Sequence, residues 1–100
     1  MNVHWRNEQG RDLAEVLDPQ MSLSHHVGSS AWAETACLRF IDRYGDTIFN
    51  QHQIPVLIRE LEASTASVAD PGIQRHVSEV IRLLKQATGK IHTYAWFIGD

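Results

Sequence analysis

Leu38–Glu62, LRFIDRYGDTIFNQHQIPVLIRELE, is the stretch whose reading decides the fold. Leu38 and Phe40 alternate with Arg39, and Thr47 to Phe49 form a second β-prone run, so two strands are predicted. Asp42-Arg43-Tyr44-Gly45-Asp46 joins them with turn chemistry, because Gly allows positive φ and Asp can bond its own backbone. Helical spacing follows at once, with Ile54, Leu57, Ile58 and Leu61 at i, i+3, i+4 and i+7. Strand, tight connection, strand and amphipathic helix therefore come in close succession, and the rest of the chain is read as what covers them.

Upstream, Val3 and Trp5 share one face of a strand, and Asn7-Glu8-Gln9-Gly10 is a polar turn. Two templates compete over Arg11–Leu17. Leu13, Val16 and Leu17 fit a short helix, whereas Leu13, Glu15 and Leu17 line one side of a strand. The Gly turn and the short length favour a strand that closes a hairpin with the first. Asp18-Pro19 ends it, since the residue before Pro is pushed out of the α region. From Gln20 to Thr35, Met21, Leu23 and Val27 are scattered among Ser, His and Gly, which predicts a long loop. Trp32 is placed to pin that loop to the core.

Downstream, Ala63 to Ala69 is a Ser/Thr/Ala run where the first helix frays. A second helix begins with Asp70 as N-cap and Pro71 at its first position. Its apolar stripe is Ile73, Val77, Val80, Ile81 and Leu84, and Gly89 closes it in the left-handed conformation. Ile91–Ile98, IHTYAWFI, is apolar on both faces and reads as an interior strand. The sum is an α+β fold in one domain spanning 1–100. A mainly antiparallel sheet, made of two hairpins and a C-terminal strand, carries an antiparallel pair of helices on one face. Trp5, Phe40, Phe49, Trp96 and Phe97 are expected to fill much of the core.

Composition narrows the function classes. With 100 residues, 43% hydrophobic and 21% charged, the chain has the make-up of an ordinary globular domain. A net charge of −3 and a pI near 6.0 argue against a nucleic-acid partner, which would need a basic footprint. Cys37 is the only cysteine, so no internal disulfide can form, and a reducing cytoplasm suits the chain. Its apolar setting predicts a buried small hydrophobe. No run approaches the ~18 apolar residues of a membrane span, and MNVHWRNEQG lacks the pattern of a signal peptide.

Candidates for chemistry are sparse. His25 and His26 are adjacent, so their side chains point apart, and His52 and His76 have no second His at helical spacing. His76 and Glu79 form one His/carboxylate pair; no metal site and no cofactor are expected. Asp42 and Asp46 flanking Tyr44 are the best acid–base candidates, but Asp is also a preferred turn residue. No nucleophile elbow and no phosphate-binding glycine loop is present. If His92, Tyr94 and Trp96 line the sheet's outer face, they offer a patch for a partner or a homodimer.

Tyr44-Gly45-Asp46-Thr47-Ile48-Phe49-Asn50, Gln53-Ile54-Pro55, and Tyr94 through Phe97-Ile98-Gly99-Asp100, with the opening VHWRNEQG, resemble a group of small, uncharacterised bacterial proteins. The resemblance covers most of the chain and implies a bacterial origin; it brings no reaction, cofactor or catalytic residue. Two readings follow. The first is an interaction domain, an inhibitor or immunity-type partner of another protein, with Asp42, Tyr44, Asp46, His25 and His26 as contacts. The second is a small enzyme or ligand-binding domain. Its pocket would lie between the sheet and the 20–35 loop, lined by Trp32 or Trp96.

Overall fold

The chain, seen here as a computed structural model that describes residues 1–99, is α+β. Strands β1 (Asn2–Asn7), β2 (Asp12–Val16), β3 (Asp46–Phe49) and β4 (Thr93–Ile98) form one sheet in the order β2-β1-β4-β3. Every pairing is antiparallel. Helices α2 (Ile54–Thr65) and α3 (Pro71–Ala87) pack against each other and cover one face of the sheet, and α1 (Ser30–Ala33) is a single turn. No helix among the described residues is long and apolar enough to cross a membrane.

The strand reading of 11–17 holds. Asn7 builds the β1–β2 turn, its Oδ1 accepting the N–H groups of Gln9 and Arg11, and Gly10 takes φ +79°. The register slips between Trp5↔Ala14 and Arg6↔Asp12, so Leu13 is bulged out and exposed. The C-terminal strand is central, as its two apolar faces predict. Thr93, Ala95 and Phe97 point into the core, while Tyr94, Trp96 and Ile98 point to the open face.

Both helices follow their periodicity. Ile54, Leu57, Ile58, Leu61 and Thr65 are the buried residues of α2. Asn50 and Gln53 brace its start: Asn50 Oδ1 accepts from the N–H of His52 and Gln53, and Gln53 Oε1 accepts from Asn50 N–H. Asp70 caps α3 by accepting the N–H of Gly72 and Ile73, Pro71 is its first residue, and Gly89 follows with φ +78°. The buried stripe of α3 is His76, Val77, Val80, Leu83, Leu84 and Ala87, so Ile73 and Ile81 only flank it. His76 thus occupies a core position.

One prediction in the decisive stretch fails. Leu38–Phe40 is a 3₁₀ turn, not a strand, so there is no second hairpin among the described residues and β3 pairs with β4 instead. The cause is Glu60 on α2, whose carboxylate accepts the N–H groups of Ala36, Cys37 and Leu38 at 2.5, 3.0 and 3.2 Å. Three successive amides turned to one anion cannot serve a sheet ladder. The turn buries Leu38 and points Phe40 outward, so Phe40 leaves the predicted core. Trp96 leaves it too, on the open face. Phe49 and Phe97 remain, in edge-to-face contact at 5.6 Å, and Trp5 packs at the margin. Trp32, 1% exposed, takes the lost volume. Cys37 is buried without lying in a strand; burial, with Glu60 nearby, pushes its thiol pKa up, which suits an inert hydrophobe.

Candidate interaction surface

The two irregular segments, 18–35 and 38–45, meet where Arg43 reaches Val27. Asp18 starts the first. Its carboxylate is buried, takes the ammonium of Met1, and accepts Leu23 N–H at 3.1 Å. Met21 adopts φ +55°, and Ser24–His26 forms a 3₁₀ turn that buries Leu23 and Ser24. Ser29 then caps α1 through Trp32 N–H, and His26 stacks on the Trp32 ring at 6.0 Å. Burial, then the neighbouring His25, holds the His26 pKa below its ordinary value. His25 is left exposed on the outside of the turn.

The second segment is fixed by its own turn and by the end of β4. Asp42 N–H donates to Thr47 Oγ1 at 3.0 Å, and Asp42 Oδ1 accepts Tyr44 N–H at 2.9 Å, an Asx turn. Asp42 is therefore occupied as a turn residue. Gly99 N–H donates to Gly45 O, and a Cβ on Gly99 would stand 2.4 Å from Gly45 O and 2.8 Å from Arg43 O. Only glycine fits there. Two pieces of the sequence pattern noted above, Tyr44-Gly45 and Ile98-Gly99, are thus in contact; Asp100, the last residue of that pattern, lies outside the described residues.

Arg43 bridges the two segments, its Nη2 donating to Val27 O at 3.0 Å. On one side an open groove of about 390 Å³ is lined by Gln20, Met21, Ser24, His25, Arg43 and Tyr44. On the other side a wider hollow is bounded by Val27, Arg39, Phe40 and Asp42, with Arg43 and Tyr44 again. Large apolar side chains surround Arg43 in the open: Met21 is 45% exposed, Phe40 61% and Tyr44 77%. The Arg39 guanidinium lies over the Phe40 ring at 4.7 Å.

Of the residues singled out in the sequence, His25, Asp42 and Tyr44 come together here. Asp46 is exposed at the start of β3, opposite Ile98. His26 and Trp32 turn into the protein, and Trp96 lies on the far side of β4 from Phe97 and the core that holds Trp32. Trp32 and His26 do meet, but inside the protein, and neither Trp32 nor Trp96 lines the groove beside the long loop. Sequence reasoning missed Met21, Phe40 and Arg43; Phe40 had been assigned to the core, and a lone Arg in a turn carries no pattern.

The open face of the sheet holds a second constellation. Trp96, Ile98 and the exposed Ile48 form an apolar strip, with Arg6 over the Trp96 ring at 4.8 Å. His92 is not part of it, being outside β4 and bonded to Glu8 at 2.7 Å. Beside the strip, ligand atoms of His4, Asp12 and Glu15 lie within 4.8 Å of one another, a spacing that could hold a metal ion. They are brought together by the His4↔Glu15 register and the Leu13 bulge, which the sequence did not reveal. Arg6 Nε already donates to Asp12 Oδ1 at 2.7 Å, and Arg6, then His4, lowers the Asp12 pKa. Asp12 is thus already paired with a cation of this chain. The other His/carboxylate pair separates: His76 is buried 3.5 Å from Asp18, while Glu79 faces outward.

No protein-family model, curated protein or solved structure matches the chain.

Proposed function

We propose that this chain is a cytoplasmic protein-interaction domain, an inhibitor or immunity-type partner that acts by surface contact and performs no chemistry of its own. One observation carries the reading: Met21, Phe40 and Tyr44 stand exposed around Arg43, on loops that are individually braced. Apolar and aromatic side chains around an arginine, on pre-ordered backbone, have the make-up of interface hot spots. The small size, the mild acidity and the bacterial resemblance are in keeping with such a partner.

The test replaces Met21, Phe40 and Tyr44 together with Ala. Wild-type protein recovers a specific partner from the native host; the triple variant should lose it while its melting temperature stays within a few degrees, since the three side chains pack little. Retention of that partner by a folded triple variant would sink the reading.

A homodimer through the open sheet face is the second reading, favoured by the strip of Ile48, Trp96 and Ile98. Light scattering at two concentrations, with Trp96→Lys as the interrupting variant, decides it.

A further inference from the structure

Arg43 differs from the other arginine drawn against the protein. Arg6 is neutralised by Asp12. Arg43 is half-buried, donates one hydrogen bond to a neutral carbonyl, and has no carboxylate within ion-pair distance among the described residues. Its Nε is buried with no hydrogen-bond partner. The nearest acid in sequence, Asp42, is committed to Tyr44 N–H. A guanidinium partly withdrawn from water and lacking a counter-charge gains more from a carboxylate than one free in solvent. It borders the groove in which His25 adds a second nitrogen donor and Met21 and Tyr44 supply apolar walls.

We propose that Arg43 and this groove form a carboxylate-binding site for an Asp or Glu side chain of the partner, with an apolar neighbour of that residue seated on Met21 and Tyr44. The inference rests on the docking function proposed above and names the chemistry that the partner brings. Arg43 supplies the charge and directional donors. His25, which also lines the groove, adds a hydrogen-bond donor. Tyr44 and Met21 exclude water from the pair, which strengthens it. The bond to Val27 O holds the guanidinium in place beforehand, so little side-chain freedom is lost on binding.

The probe is the capped dipeptide acetyl-Leu-Glu-amide, with acetyl-Leu-Gln-amide as its uncharged twin, titrated into isotope-labelled protein and followed by NMR. The expected result is a saturable shift of the Arg43 Nε–Hε signal, the Met21 methyl and the Tyr44 ring. Binding of the Gln twin should be about tenfold weaker, the loss of one charge-assisted bond. Arg43→Gln, which keeps a donor for Val27 O, should abolish the difference between the peptides, and Arg43→Lys should restore part of it. Well-dispersed spectra establish that either variant is folded. Equal affinity for the two peptides, or shifts shared evenly by Arg39 and Arg59, overturns the site. If the peptide fails yet the Met21/Phe40/Tyr44 variant still loses its partner, only the carboxylate assignment falls. If the peptide binds and that variant keeps its partner, the docking function falls and a carboxylate site remains.

Discussion

Two cations are drawn in from solvent along the same loop, and the fold treats them in opposite ways. At the start of the loop the Met1 ammonium is buried against Asp18, with His76 3.5 Å away on α3. At its far side Arg43 reaches Val27 and, among the described residues, meets only a carbonyl. The first charge is matched and sealed; the second is oriented and, among the described residues, left unmatched. A buried charge with its counter-ion ties elements together, because removing either member strands the other. An oriented charge with no counter-ion does little for stability and is ready for an outside partner.

The largest effect that would break this contrast is at Asp18. Asp18→Asn leaves the Met1 ammonium buried and unpaired, and should cost about 3–5 kcal/mol, a large part of a small domain's stability. Denaturant titration measures it; a cost no greater than that of Arg43→Gln would erase the distinction. Next is Gly99→Ala. Its Cβ would collide with Gly45 and Arg43 backbone, and an overpacked site of this kind costs about 1–3 kcal/mol. The displaced turn should also weaken binding of the Glu peptide, linking the C-terminal end of β4 to the groove. Unchanged stability and unchanged peptide affinity would show that the contact is slack.

The smallest effect is with pH. Burial holds His76 below its ordinary value near 6.5, against the upward pull of Asp18. The unfolded chain therefore takes up the proton first, and stability drops as pH falls below about 6.5; His26, lowered by burial and by His25, contributes in the same direction. For Asp18, burial alone would raise the pKa, but the Met1 ammonium, the amides of Ser22 and Leu23, and His76 bring it down to about 2. Its contribution is present above the ordinary carboxylate value of 3.8 and is lost as pH falls from there towards 2. Melting temperature should thus decline in two steps, the first reduced in His76→Gln, and neither step altered by Arg43→Gln.

What the sequence revealed was local. The α2 stripe and the Asp70-Pro71 start of α3 depend on neighbours within a few turns, and both were legible. Leu38–Phe40 was misread because its conformation is set by Glu60, 22 residues beyond Leu38. Alternation in three residues carries no sign of such a partner. In IHTYAWFI both faces are apolar, so the pattern placed the strand in the middle of the sheet but could not say which aromatic faced the helices. Tyr44 and His25 were found because turns and loops expose what they carry. Met21, Phe40 and Arg43 were not, since their grouping exists only once two irregular segments have met.

Glu60 has a further consequence, in the language of amide exchange. Ala36, Cys37 and Leu38 lie outside any strand or long helix, yet their N–H groups end on a side chain rooted in the middle of α2. Exchange there requires the carboxylate to let go, and all three amides are released by that one event. They should therefore be protected as a set, at a rate governed by movement of α2, whereas the flanking amides of Arg39 and Phe40, bonded within the segment itself, open independently of that helix.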